Sequence, residues 1–268
     1  MNNNINEISL THLCASLAAA MGINAPSQAD TSIPRLDELV RNTCGIVDRI
    51  FMYNPDAVAM WLCEKYEEWF EPVFRSTSLK LPLCTVMPSV TPVCFGTMYT
   101  GAKPEVHGIR SYSKPVIRID TLFDALIRAG KKPAIVSTEG DSLSKIFLER
   151  DMDYYLFPTV DECTEKALDL IIEDKYDFIL LYNGDYDTAM HRYSPEGEDA
   201  LAALRKNISV FDRIDSAIRK NWKSHNTLLG FAPDHGCHEI DGDCGSHGLD
   251  MPEDLNILHF YSVIPEIK

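Results

Sequence analysis

Residues 231–250 read F-A-P-D-H-G-C-H-E-I-D-G-D-C-G-S-H-G-L-D. Asp234, His235, His238 and His247 stand among glycines and acids at a density that no apolar core could absorb. The residues just before, 226–231 (N-T-L-L-G-F), have the composition of a buried strand. The cluster therefore falls at the carboxyl end of a strand, where open α/β sheets hold their ligands. Imidazoles and carboxylates at such spacing suit a divalent metal such as zinc. A single Asp-His pair would read as local capping; this density, after a buried strand, reads as a metal site.

Outward from that stretch the chain alternates. Strands are expected at 49–53, 133–137, 154–157, 178–182 and 257–263, and another apolar run lies at 84–87. Helices are expected at 8–21, 34–43, 121–129, 143–149, 160–173 and 197–220. Val58, Leu62, Tyr66 and Trp69 mark a further helix face. Thr91-Pro92 reads as an N-cap followed by proline at the first helical position, and Thr100-Gly101 closes that helix. Such alternation predicts an α/β fold with a mainly parallel central sheet and helices on both faces. No repeat, low-complexity tract or linker divides the 268 residues, so one domain over 1–268 is expected.

The formal net charge of −15 argues against a nucleic-acid polymer as partner. No apolar run approaches the roughly 20 residues of a membrane span, so no membrane association is expected. The apolar run at 10–21 lacks a preceding basic region and contains His12, unlike a signal peptide. Eight cysteines then point to reduced thiols in a cytoplasm.

Three other polar stations follow expected strands. Asp56 comes after 49–53 and could cap the next helix or point a carboxylate into a site. Thr91 stands at a helix N-terminus, where the dipole favours an alkoxide or a phosphate. Asp187 and His191 are four residues apart, so a helical turn puts them on one face. In a parallel sheet these strand ends share one edge.

Taken together, these stations resemble the alkaline phosphatase superfamily, and most of all its type I phosphodiesterase and nucleotide pyrophosphatase branch. The resemblance rests on Asp56, on Thr91 before T-G-A-K-P-E-V-H-G-I, and on D-T-A-M-H at 187–191. It rests equally on P-D-H-G at 233–236 and G-S-H-G at 245–248, and it covers the chain from about residue 48 onward. It implies an alkaline phosphatase-like fold, here a minimal one without a large cap domain. It implies two divalent metal ions, zinc first and manganese or magnesium as alternatives. Asp187, His191 and His247 would hold one; Asp56, Thr91, Asp234 and His235 would hold the other. Thr91 would be the nucleophile, forming a phospho-threonine during hydrolysis of a small phosphate ester. A phosphodiester or nucleotide pyrophosphate is the first expectation; a phosphomonoester or phosphonate is the alternative. His238 has no place in the motif. Two divalent cations against Asp56, Asp187 and Asp234 would leave about one positive charge, enough to draw phosphate into an acidic protein.

The sequence departs from the family pattern in three ways. No asparagine follows H-G-I; Arg110 and Lys114 lie there instead, as phosphate-binding cations or as a solvated loop. Asp56 is followed by alanine where the family often has glycine. Only 42 residues separate His191 from Asp234, leaving little room for substrate-covering insertions. Among rivals, a sulfatase would need C/S-x-P-x-R, which T-P-V-C-F lacks. An oxidoreductase would need a glycine-rich turn after the first strand. A non-catalytic, metal-stabilised binding protein is the alternative from another class. Finally, residues 11–34 look similar to the helix and G-I-x-x-P loop that usually close this superfamily's C-terminus. Either residues 1–45 are a circularly permuted segment packed beside the last strand, with nearby termini, or the helix is a coincidence.

Overall fold

The computed structural model describes residues 4–241 and 244–267, so Gly242 and Asp243 of the opening stretch lie outside the described residues. Seven strands form one sheet: β1 (Arg49–Pro55), β2 (Leu79–Cys84), β3 (Pro133–Thr138), β4 (Asp153–Phe157), β5 (Phe178–Asn183), β6 (Thr227–Phe231) and β9 (Asn256–Ile264). Their order is β2-β9-β6-β1-β5-β3-β4. β9 runs antiparallel to both neighbours and every other pairing is parallel. β7 (His238–Ile240) and β8 (Cys244–Ser246) form a separate hairpin.

Strand pleat divides the core in two. Along β1, Ile50 and Met52 join one apolar cluster, with the helices Leu13–Ala20, Thr91–Thr100 and Leu122–Arg128. Phe51 and Tyr53 join the other, with the helices Val160–Glu173 and Glu198–Asn221. Side chains that alternate across a strand give a buried sheet two hydrophobic faces, and helices cover both. The α/β architecture expected from the sequence is present. Thr121 and Thr159 cap the helices that follow them through reciprocal capping boxes.

Three local expectations need correction. The strand near residue 84 is Leu79–Cys84, with the 84–87 run mostly beyond its end. Its Lys80 and Pro82 break the apolar pattern, as an edge strand permits. The 8–21 segment opens with a 3-10 turn, Leu10–His12, capped by the Ser9 hydroxyl, before the helix proper. Thr91 is not an N-cap: Val90 holds that position and Thr91 is the first helical residue. Asn6 and Glu266, near either limit of the described residues, lie at opposite ends of β9. Asn6 hydrogen-bonds Asn256 at the start of β9, while Glu266 follows its finish and bonds Asn226. Nine strand residues separate the two, roughly 30 Å at the usual rise. The N-terminal helix does share an apolar cluster with Ile257, Tyr261 and Val263 of β9.

Candidate metal centre

β6, β1 and β5 are adjacent and parallel, with Tyr53 in register with both Phe231 and Leu181. Their carboxyl ends are flush, and Asp234, Asp56 and Asp187 follow them directly. Thr91 arrives from a distance. After edge strand β2 the chain crosses over β9, where the Thr85 hydroxyl donates to the Asp234 carbonyl at 2.7 Å. The helix Thr91–Thr100 then starts above β1, buried along its whole length.

Two ligand groups form. Asp56, Asp234 and His235 make an inner group, all buried. His235 Nε2 lies 3.3 Å from Asp56 Oδ1 and 3.3 Å from Asp234 Oδ2. Asp187, His191 and His247 make an outer group. His191 Nε2 is 3.3 Å and His247 Nε2 3.4 Å from Asp187 Oδ1, and the two nitrogens are 3.1 Å apart. Asp187 and His191 share a face of the helix Asp185–Tyr193, as their spacing requires. The His235 and His247 rings are 4.1 Å apart between centroids, which joins the groups. The Thr91 hydroxyl lies 3.2 Å from Asp56 Oδ2 and 3.3 Å from His235 Nε2. All seven candidate residues converge.

The hydrogen bonds around these atoms decide what the centre can hold. His235, His191 and His247 present Nδ1 to the carbonyls of Gly236, Gly245 and Ser89, at 2.9, 3.0 and 2.9 Å. A carbonyl only accepts, so each Nδ1 carries the proton and each neutral ring turns an Nε2 lone pair inward. Asp56 Oδ2 accepts from Tyr182 at 2.5 Å, and Asp234 Oδ1 from the Ala57 N–H at 3.3 Å. Asp56 Oδ1, Asp234 Oδ2 and Asp187 Oδ1 are buried without any hydrogen-bond donor. Three orphaned carboxylate oxygens facing three imidazole lone pairs lack positive charge, and divalent cations fit that donor set.

Electrostatics agree. Burial, then the charge of Asp187, pushes Asp56 up to about 7. Burial and Asp56 raise Asp234 well above the ordinary carboxylate range. Burial lowers His235 to about 3, with His247 adding to the effect, so its ring is neutral. Burial raises Asp187 too, but the adjacent His191 and His247 imidazoles outweigh it and hold that carboxyl low. Asp187 raises His191 in turn, and raises His247 against the effect of burial.

Two glycines of the motifs are required by contact. A Cβ on Gly236 would meet the Glu253 carbonyl oxygen at 2.0 Å, and one on Gly245 the Met190 sulfur at 2.4 Å. The second contact brings β8, and with it His247, against the helix that carries His191. Ala57 has φ +60°, a left-handed conformation that accounts for glycine being common at this place in the family pattern. His238 is structural: its Nδ1 pairs with Asp254 at 2.7 Å. His107 of H-G-I bonds Thr97 at 3.1 Å and anchors its own loop. Arg110 is exposed and Lys114 half-buried, and they turn to the Glu105 and Gly140 carbonyls, as in the solvated-loop alternative. Sequence reasoning missed Tyr182, Thr85 and Ser89. Of these, only Tyr182 carried a signal, a polar tip ending the apolar run of β5.

Scans against protein-family models and searches of the curated proteins give no match. Solved structures do match. Murine ectonucleotide pyrophosphatase / phosphodiesterase 5 superposes with a TM-score of 0.58 at 15% identity, covering 72% of this chain and 58% of its own. The human protein of the same name gives 0.56 at 16% identity, with the same coverage. Phosphonoacetate hydrolase from Sinorhizobium meliloti 1021, in complex with phosphonoformate, gives 0.52 at 18% identity, covering 73% of this chain and 59% of its own. The chain thus spans under two thirds of the length of these structures. Its mostly parallel, helix-covered sheet has the fold of these phosphodiesterase and phosphonate hydrolase structures, the alkaline phosphatase-like fold that the sequence motifs implied.

Proposed function

We propose that this protein is a two-metal phosphohydrolase acting on a small phosphate ester through a phospho-threonine at Thr91. The observation that carries this reading is the set of unpaired oxygens and imidazole nitrogens beside a buried threonine hydroxyl. Asp56, Thr91, Asp234 and His235 would hold one divalent ion; Asp187, His191 and His247 would hold the other, with zinc, manganese and magnesium as candidates. The ions would neutralise the three carboxylates and make the threonine hydroxyl more acidic.

The chain's own residues prepare the rest. Thr91 Oγ1 sits at the first turn of a ten-residue helix, whose positive end favours the alkoxide. Its proton can leave along the hydrogen bond to Asp56 Oδ2, which Tyr182 holds in place. The Thr91 oxygen then bonds to phosphorus while the bond to the ester oxygen breaks, and the leaving alkoxide takes a proton from solvent. Water next cleaves the bond between phosphorus and the Thr91 oxygen, restoring the hydroxyl and releasing a phosphate monoester from a diester or inorganic phosphate from a monoester.

The structural neighbours support a phosphoryl or phosphonyl substrate. An inactive form of the murine protein is described in complex with AMP, and the hydrolase with phosphonoacetate. A diester or nucleotide pyrophosphate remains the first expectation, with a monoester or phosphonate second. Eight free cysteines favour a reducing, cytoplasmic setting. Among the described residues, no helix is long and apolar enough to cross a membrane. The test is a panel of aryl phosphate diesters, monoesters and phosphonates with zinc, manganese or magnesium, with and without a chelator. Chelator-sensitive release is expected in at least one arm. Bound metal with no turnover in any arm favours the non-catalytic binding protein.

A further inference from the structure

We propose that the cleft at the metal centre takes a phosphate ester or phosphonate whose far end is a protonated amine, received by Asp141; the inference rests on the phosphohydrolase reading above. The cleft measures about 420 Å³, and Asp56, Asp187 and Tyr182 line it together with Tyr112, Asp141 and Ser142. Asp56 of the inner group and Asp187 of the outer group both line this cleft, so it borders the two candidate ligand groups. Asp141 follows β3, which β5 separates from β1. Two strand spacings amount to roughly 10 Å, within reach of a short aliphatic spacer from a phosphoryl group over β1.

Charge separates the two ends. Among the described residues, no lysine, arginine or histidine lines the cleft. Glu139 and Asp185 also border it; Asp185 is paired with Lys206 at 3.1 Å and Glu139 is exposed. Asp141 is half-buried, and its carboxylate makes no ion pair or side-chain hydrogen bond among the described residues. Its backbone is fixed: the N–H donates to Thr138 and the carbonyl accepts from the Ser144 hydroxyl at 2.8 Å. Lys114, whose charge reaches Asp141, directs its Nζ to the Gly140 carbonyl at 2.9 Å. Burial lifts the Asp141 carboxyl to about 6 against that influence, the mark of a carboxylate short of a cation. A second phosphate or a carboxylate would be repelled at this end. A primary ammonium would gain a charge-assisted hydrogen bond.

The experiment uses the full chain loaded with manganese. Calorimetry compares 2-aminoethylphosphonate with ethylphosphonate and phosphonoacetate, and kinetics compare 2-aminoethyl phosphate with ethyl phosphate. The amine is expected to win by about tenfold or more in both Kd and kcat/KM, as one charge-assisted contact implies. Phosphonoacetate should bind weakest. In Asp141→Asn the amine-to-alkyl ratio should fall toward one, and this ratio is internal to each protein. Equal binding of amine and alkyl ligands by the wild-type chain overturns the inference without any variant, as does a preference that survives Asp141→Asn. If ethylphosphonate binds and no amine preference follows, this inference alone fails. If no phosphonate binds and no ester is turned over, the phosphohydrolase reading fails with it.

Discussion

The inner group of Asp56, Asp234 and His235 and the outer group of Asp187, His191 and His247 use the same two side-chain types under different conditions. The inner carboxylates are sealed from solvent, and protein donors tie one oxygen of each. His191 in the outer group is 42% exposed, and its Asp187 is held low by the two histidines. Desolvation without compensation is costly for a carboxylate, so the inner group depends on a cation to be fully charged near neutral pH. The outer carboxylate is ionised without one. The inner ion should therefore serve fold and nucleophile together, and the outer ion should exchange with solvent.

The largest expected effect comes from the inner side. Thr91→Ala should lower kcat by on the order of a thousandfold or more, with both metals retained and no rescue by added metal. Thr91 is not the N-cap, so no capping hydrogen bond is lost and the thermal midpoint should barely move. Activity near the wild-type level would remove Thr91 from the chemistry. On the outer side, His191→Ala should weaken one of two metal affinities by on the order of a hundredfold, with activity restored by excess metal. Loss of both ions together would merge the two groups into one site.

A smaller effect separates the groups by pH. The folded Asp56 carboxyl sits at about 7, above its ordinary 3.8, so the metal-free fold loses stability from this group as pH rises from about 4 to 7. Cation binding needs the carboxylate and strengthens over the same interval. A fixed manganese concentration should thus raise Tm more at pH 8 than at pH 6. Equal shifts would detach Asp56 from the metal. The smallest effect is at Ala57→Gly: glycine relieves the left-handed strain but gains freedom when unfolded, so stability should change by no more than about 1 kcal/mol. A larger change, measured by denaturant unfolding, would show that the methyl group packs against the inner group.

The outer group was the more legible in sequence. Asp187 and His191 obey helical spacing, and His247 lies within a dense motif, so short-range patterns suffice. Asp56 and Asp234 were visible as polar residues ending apolar strands. What the sequence withheld is the long-range part. Tyr182 meets Asp56 across 126 positions, and Ser89 orients His247 across 158, and no local pattern encodes such pairs. Thr91 was found through its proline, but the cap assignment failed because Val90 takes the extended conformation that a cap normally has. The 84–87 run misplaced β2 because an edge strand tolerates Lys80 and Pro82, which hide its alternation. Asp141 was invisible, since nothing local marks a carboxylate that is half-buried and unpaired.

Anomalous diffraction from crystals of the protein loaded with zinc or manganese, recorded at the metal's absorption edge, tests the central claim most directly. The account predicts two peaks per chain, one bounded by Asp56, Asp234, His235 and the Thr91 hydroxyl and one by Asp187, His191 and His247. A single peak, or a metal-loaded structure in which Asp56 or His247 points away from the others, would contradict it.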